Sequence, residues 1–303
     1  MSRTCISVIV PCFNSGKYLS SCLDSLLNQD FDESYNIILI DCKSEGKEKE
    51  IGTRYQAQHP GKIYYYRYEK NDGPSLSRNL GLRHANGAFI TFVDGDDYVQ
   101  KNYLSSLFRH IRKKDADIAT GGYYIDNGKK TFKGYSRTRF TSRGTKALNK
   151  YRHSPFRKLR TFCWGRLYKA EFLKKNRIQF DPSQVKYEDL VFFFSTMLRA
   201  DKVTYFKEPI YYYRQHESSI RSSANNYYID HLMAFEKSKK LTTLYAPYRG
   251  KRLFRKRHLA RKLQLDFDAK ETAKRNPSLS LRSIRKERKQ QEKKIFSYKG
   301  IQG

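Results

Sequence analysis

Three carboxylates crowd into the seven residues Phe92-Val93-Asp94-Gly95-Asp96-Asp97-Tyr98. They follow an apolar run, Ala88-Phe89-Ile90-Thr91-Phe92-Val93, that reads as a short buried strand, and Gly95 lets the backbone turn sharply among them. Crowded carboxylates repel one another and resist ionising, so the arrangement is stable mainly when a cation sits between them. Oxygen-only ligands suit Mg²⁺ or Mn²⁺. Taken alone, the heptad supports two readings: a metal site for a phosphorylated substrate, or a solvated acidic turn after a strand. The elements around it must decide.

Those elements alternate. Cys5 to Val10 is a β-branched run stopped by Pro11 and reads as a first buried strand. Tyr18, Leu19, Cys22, Leu23, Leu26 and Leu27 recur at helical spacing within 17–29. Tyr35 to Asp41 is a second strand ending on a carboxylate, with a helix expected near 46–58. Lys62 to Arg67 is a third strand. Asn71-Asp72-Gly73-Pro74 marks a turn and Ser75 to Ala85 a helix, leading to the strand at 88–93. Four strand–helix alternations in a hundred residues predict a doubly wound, mostly parallel sheet flanked by helices. In such sheets ligands sit beyond the carboxyl ends of the strands, and Pro11 to Asn14, Asp41 and the 94–97 cluster all lie there. Three polar strand ends converging on one crevice favour the metal reading over the acidic turn.

Farther on, 101–114 reads as a helix, 117–124 as a strand, 125–160 as a hairpin and loops, and 169–176 and 190–198 as helices. Val203 to Phe206 and Ile210 to Tyr213 read as two short strands around Glu208-Pro209. Composition places a boundary near 222. It gives a domain over 1–222 and a basic helical C-terminal region over 223–303.

The chain has 303 residues and a formal net charge of +31. Residues 231–303 hold 22 of the 61 Lys and Arg but only 6 of the 30 Asp and Glu, with the cations densest in Lys251 to His258 and Arg282 to Lys294. The partner is therefore expected to be anionic: an acidic membrane surface, a polyanionic acceptor, a nucleotide diphosphate or nucleic acid. A nucleic-acid-binding module leaves the carboxylate clusters unexplained, because acids in a crevice repel phosphates unless a metal intervenes. The basic tail is open to three uses: a foot on an anionic membrane, a solvated helical face, or homo-oligomer contact. Five cysteines without a CxxC pair read as reduced thiols. The chain runs from Met1-Ser2-Arg3 straight into a strand, and no apolar stretch reaches the roughly 20 residues a membrane span needs. The expectation is a cytoplasmic protein, peripheral on the inner face of the cell membrane.

An ordered set of motifs resembles the family 2 glycosyltransferases of the GT-A fold. The set is Pro11-Cys12-Phe13-Asn14, Asp41, Gly73 to Gly81, Phe92 to Asp97, Trp164-Gly165-Arg166-Leu167-Tyr168, Tyr187-Glu188-Asp189-Leu190 and Tyr211 to Ser219. The resemblance covers about 5–220 and implies a nucleotide-binding half at 1–100 and an acceptor-binding half at 101–222. It implies a bacterial enzyme that moves a hexose or N-acetylhexosamine from a nucleotide-diphosphate donor, by resemblance a UDP-sugar, with inversion. The implied acceptor is a hydroxyl of a surface polysaccharide, lipid-linked glycan, teichoic acid or glycoprotein. Asp96 would ligate Mn²⁺ or Mg²⁺, and Asp94 the metal or the ribose. Pro11, Asn14 and Asp41 would hold base and ribose, with Arg78 and Asn79 near the base and phosphates. Asp189 would be the general base, with Glu188 and Trp164 toward the acceptor; as the only tryptophan, Trp164 reads equally as a core anchor or as a stacking platform for a sugar ring. Arg214, His216 and Ser219 would close on the diphosphate or metal, His216 as a ligand.

One loop departs from the pattern at two positions: Asp41-Cys42-Lys43-Ser44 stands where the family usually has Asp-Asp-Gly-Ser, so Lys43 replaces the flexible glycine. Cysteine cannot accept a strong hydrogen bond from a nucleobase imide. That departure motivates the alternative of a catalytically impaired scaffold.

Overall fold

The structure is a computed structural model that describes residues 4–71, 73–133, 139–153, 161–184, 186–215 and 227–245. The chain divides into two compact units, Met1–His216 and Glu217–Gly303, where composition had placed the change near 222. In the second unit helix α8, Tyr227–Tyr245, buries Ala234, Ser238 and Thr242 at four-residue spacing.

The first unit is an α/β fold with, among the described residues, ten strands in one sheet. Its nucleotide-side half is β1 (Ile6–Cys12), β2 (Tyr35–Cys42), β3 (Ile63–Tyr68) and β4 (Phe89–Phe92). These four run parallel in the order β3-β2-β1-β4. Parallel strands are buried on both faces, which is why β2 is buried along its whole length and carries the apolar run Ile37 to Ile40 at its centre. The crossovers are α1 (Gly16–Leu27), α2 (Glu48–Gln58) and α3 (Pro74–His84). Helix α1 packs Leu19, Cys22, Leu23 and Leu26 inward at the spacing read from sequence.

Beyond β4 the sheet changes character. β5 (Tyr98–Val99) is a two-residue strand on the outer edge of β10, and α4 (Tyr103–Lys114) leads into β6 (Ile118–Asp126). β7 (Thr131–Lys133) folds back on β6, and β8 (Phe140–Ser142) pairs with β10. Helix α5, Gly144–His153, stands in the stretch expected to be a hairpin and loops. β9 (Arg166–Lys169) runs antiparallel between β4 and β6. Four residues of Arg-Leu-Tyr-Lys carry too little pattern to separate from the helix that follows, α6 (Ala170–Lys175). α7 (Glu188–Arg199) precedes β10 (Val203–Arg214). The two strands expected around Glu208-Pro209 are one, and its register with β6 shifts at Pro209, where the missing N–H interrupts the ladder.

Helix α3 approaches β1 closely. A Cβ on Gly81 would stand 2.2 Å from Ile9 Cγ2, and Ile9 is fully buried. Glycine lets the helix lie directly on the strand. Gly81→Ala is expected to destabilise the domain by about 1–3 kcal/mol through overpacking, read as an earlier urea midpoint. An unchanged midpoint would show that α3 can move away from the sheet at little cost.

Candidate active site

The acid loop is built by what holds its backbone. Val93 N–H donates to the Ile9 carbonyl at 3.0 Å and Gly95 N–H to the Pro11 carbonyl at 3.2 Å, so the loop lies against the end of β1. A Cβ on Gly95 would meet Cys12 Cβ, the Pro11 carbonyl and Ser15 Oγ, each at 3.1 Å. The three acids then part. Asp97 turns inward, 1% exposed, and accepts from the Tyr211 hydroxyl at 2.5 Å and the Arg214 backbone N–H at 2.7 Å. Burial, then the charges of Asp96 and Asp94, push its carboxyl well above the usual range. Asp94 and Asp96 stay partly exposed.

Arg214 was expected on the diphosphate. Its Nη1 instead donates to the Asp96 carbonyl at 2.9 Å, and its guanidinium lies over the rings of Tyr18 and Tyr98 at 4.5 and 4.8 Å. This side chain braces the acid loop.

Arg78 also differs from expectation. It is 5% exposed and sits among carboxylates rather than facing open crevice. Its Nη2 donates to Asp94 Oδ1 at 2.8 Å and its Nη1 to Glu188 Oε1 at 2.7 Å, with Asp189 Oδ1 at 3.8 Å. Glu188 and Asp189 open α7, where the helix dipole favours negative charge. Burial raises the Asp189 carboxyl, with Arg78 opposing and Asp94 adding to the rise; the Cys163 thiol and backbone N–H donate to it and favour the carboxylate. Asn79, expected near the phosphates, spends its amide on the Phe180 backbone, donating to its carbonyl and accepting from its N–H, both at 2.9 Å.

At the ends of β1 and β2 the loops are laced together. Asp41 is fully buried; it accepts from Ser44 N–H at 2.9 Å, the Tyr65 hydroxyl at 2.8 Å and Arg67 Nη1 at 2.6 Å. It shapes the loop instead of presenting a free carboxylate to a base. Asn14 stays exposed, donating its N–H to Ser44 Oγ at 3.2 Å and accepting from Glu45 N–H at 3.3 Å. Pro11 pairs with Ile40 within the sheet. Cys42 is fully buried beside Ile38, Ile40 and Leu80, with the Ser77 hydroxyl 3.1 Å from its sulfur. The Cys42 part of the departure thus falls in the core, while Lys43 stays exposed in the loop with φ 58°, in the left-handed region that favours the glycine of the family pattern. Phe13, which sequence reading passed over, is 46% exposed just beyond β1. An exposed aromatic beside a strand end was the signal available for it.

Trp164 is corrected. It lies parallel to Tyr211 and to Phe162, each at 4.3 Å between centroids, and is 4% exposed, so no ring face is open to a sugar. Glu188, expected toward the acceptor, is held on Arg78. His216 and Ser219 lie outside the described residues.

Among the described residues no three His, Cys, Asp or Glu side chains converge as a metal cluster. Asp94 and Asp96 offer two partly exposed carboxylates, which fits Mg²⁺ or Mn²⁺, ions bound through one or two carboxylates plus substrate phosphates.

A family model described as glycosyl transferase family 2 matches residues 7–175. The chain belongs to this family. It is 32% identical over 212 residues to the poly(ribitol-phosphate) beta-glucosyltransferase of Bacillus spizizenii, covering 69% of this chain and 32% of that protein. It is 36% identical over 119 residues to glycosyltransferase GlyG of Streptococcus pneumoniae, covering 39% of each. With the poly(ribitol-phosphate) beta-N-acetylglucosaminyltransferase TarS of Staphylococcus aureus it is 30% identical over 231 residues, 73% of this chain and 38% of TarS. The chain thus spans about a third of the length of these relatives. Solved structures of S. aureus TarS 1-349 in complex with UDP and with UDP-GlcNAc share its fold, with TM-scores of 0.65 and 0.66 at 23% identity. They cover 80% of this chain and 67% and 71% of theirs. The fold is GT-A, as expected.

Glu188 carries a pH signature. Burial, then the Asp189 charge, raises its carboxyl from 4.5 to about 7 against the pull of Arg78. Between those values the folded chain keeps a proton that the unfolded chain has lost, so stability falls as pH rises through that window. Glu188→Gln cannot lose that proton. It is expected to match the parent in denaturant melts at pH 4.5 and exceed it at pH 7.5. An equal offset at both pH values would contradict the assignment.

Proposed function

We propose that the chain is a metal-dependent, inverting glycosyltransferase that moves a hexose or N-acetylhexosamine from a UDP-sugar to a hydroxyl of a bacterial surface polymer. The observation that carries this reading is the meeting, around one buried guanidinium, of Asp94 at the end of β4 with Glu188 and Asp189 at the start of α7. One partner suits a donor diphosphate and the other an acceptor.

In this reading Asp96 and Asp94 hold Mn²⁺ or Mg²⁺, which supplies Lewis-acid neutralisation of the departing nucleotide diphosphate. Asn14 and the backbone of the laced β1 and β2 loops line the nucleoside end, and Phe13 offers a ring for the base. Asp189 takes the acceptor hydroxyl proton on a carboxylate oxygen as that oxygen forms its bond to the anomeric carbon and the bond to the phosphate oxygen breaks. Attack opposite the leaving group inverts the centre. Acidic relatives' acceptors, the poly(ribitol-phosphate) polymers named for two of them, match the net charge of +31. The cation-rich stretches at 251–258 and 282–294, outside the described residues, are read as holding such a polymer or an anionic leaflet, each nearby cation contributing about 1 kcal/mol at a membrane surface.

Thermal stabilisation by UDP-glucose, UDP-galactose and UDP-N-acetylglucosamine in Mn²⁺ tests the donor, and transfer to poly(ribitol-phosphate) tests the acceptor. Asp189→Asn and Asp96→Asn are each expected to lower transfer by about 100-fold or more while the protein stays folded. Unchanged transfer in both would end the enzyme reading, and preferential binding of random RNA over the nucleotides would favour the nucleic-acid alternative.

A further inference from the structure

Ser75, Arg78 and Asn79 stand at i, i+3 and i+4, on one face of α3. All three grip a segment 101 to 110 residues later. Ser75 Oγ donates to the Gln184 carbonyl at 2.9 Å, Asn79 exchanges two hydrogen bonds with Phe180, and Arg78 holds Glu188. The ring of Phe180 stacks on Phe192 of α7 at 4.0 Å, and the Arg78 guanidinium lies 5.4 Å from its centroid. This face of α3 therefore fixes where α7 begins, and the other terminal nitrogen of Arg78 is on Asp94.

We propose that Arg78 and Glu188 are a positioning pair. The guanidinium fork sets the separation between Asp94, on the donor side, and the first turn of α7, and so sets where Asp189 stands when an acceptor hydroxyl arrives. The inference rests on the transferase reading above and goes beyond it. Arg78 is not free to serve the diphosphate alone, because both terminal nitrogens are engaged by carboxylates. Stability does not account for the pair either. Buried ion pairs are often no better than apolar substitutes, and the Glu188 charge is disfavoured at neutral pH. What the pair supplies is geometry: two nitrogens in a rigid plane hold two carboxylates at once, which the single ammonium of lysine cannot do.

The test compares the full chain with Glu188→Gln, Arg78→Lys, the double variant and Asp189→Asn. For each, UDP affinity in Mn²⁺, hydrolysis of the three UDP-sugars by water, and thermal melting at pH 7.5 are measured. Glu188→Gln is expected to melt no lower than the parent and to bind UDP within about threefold, yet to lose about tenfold in turnover; a placement error of about 1 Å can cost 100-fold. Arg78→Lys loses more, and the double variant stays within about threefold of Arg78→Lys, because both changes weaken one bridge: glutamine keeps an acceptor oxygen but loses the charge that fixes it on the guanidinium. Multiplying losses, or losses confined to UDP affinity, would overturn the pairing. Should Arg78→Lys fail to fold, Glu188→Gln decides alone, and full turnover in it overturns the proposal. Full turnover in Asp189→Asn, or no hydrolysis of any donor by the parent, counts against the transferase reading itself. Loss in Asp189→Asn with independent effects at 78 and 188 sinks only the positioning pair.

Discussion

One guanidinium facing three carboxylates is the constraint on which the rest of the site depends. Arg78 is buried, and its partners Asp94, Glu188 and Asp189 come from two parts of the chain about a hundred residues apart. One positive charge cannot offset three negative ones in a buried place: burial first, then the Asp189 charge, moves Glu188 to about 7, and burial, with Asp94 adding to it against Arg78, raises Asp189. Removing the cation would leave acids uncompensated, a change that typically costs about 3–5 kcal/mol. The helix carrying it is fixed from both sides. Gly81 lets α3 lie on Ile9, Ser77 rests on Cys42 of β2, and Ser75, Arg78 and Asn79 reach across to the 180–188 segment.

The acid loop shows the same division of labour at smaller scale. Three adjacent acids would repel one another if all faced the crevice, and the fold separates them by turning Asp97 inward onto Tyr211 and the Arg214 backbone. Tyr211 can receive it because its ring is clamped against Trp164, which in turn is stacked on Phe162. The only tryptophan of the chain thus acts through the acid loop, two contacts removed, instead of through a sugar. Arg214 closes the arrangement by holding the Asp96 carbonyl between two tyrosine rings.

The parallel half of the fold was legible because its cause is local: β-branched runs, a helical stripe at Leu19, Cys22, Leu23 and Leu26, and strand ends marked by Pro11, Asp41 and Asp94. Asp94 and Asp96 were marked by their place just after an apolar strand, whereas Asp189 stood out through the resemblance, since an acidic pair opening a helix also reads as favoured by the helix dipole. Their neighbours were not legible. Arg78 and Asn79 sit in a motif that suggests phosphates, yet their partners lie 101 to 110 residues away, and no periodicity in α3 names them. Trp164 offered equal grounds for platform or core until the rings on either side were placed. β9 and α5 were missed where short polar sequences acquire their form from pairing with β4 and β6 and from packing on α7.

Charge links the site to the whole molecule. A chain of net charge +31 draws anions from a distance, and attraction of that kind falls off over about 10 Å in physiological salt. Around Arg78 the sign reverses, because Asp94, Glu188 and Asp189 gather on it. In the proposed reading a diphosphate brought to this place would meet repulsion from these carboxylates, and a divalent cation held by Asp94 and Asp96 would resolve that conflict, tying donor binding to metal binding. In the same reading the nucleoside end would have no such conflict. Asp41 has already spent its carboxylate on Ser44, Tyr65 and Arg67, and the exposed groups next along the chain from β1 are Asn14 and the ring of Phe13. Affinity for the base would then come from shape and stacking, and the requirement for metal would be confined to the acid loop.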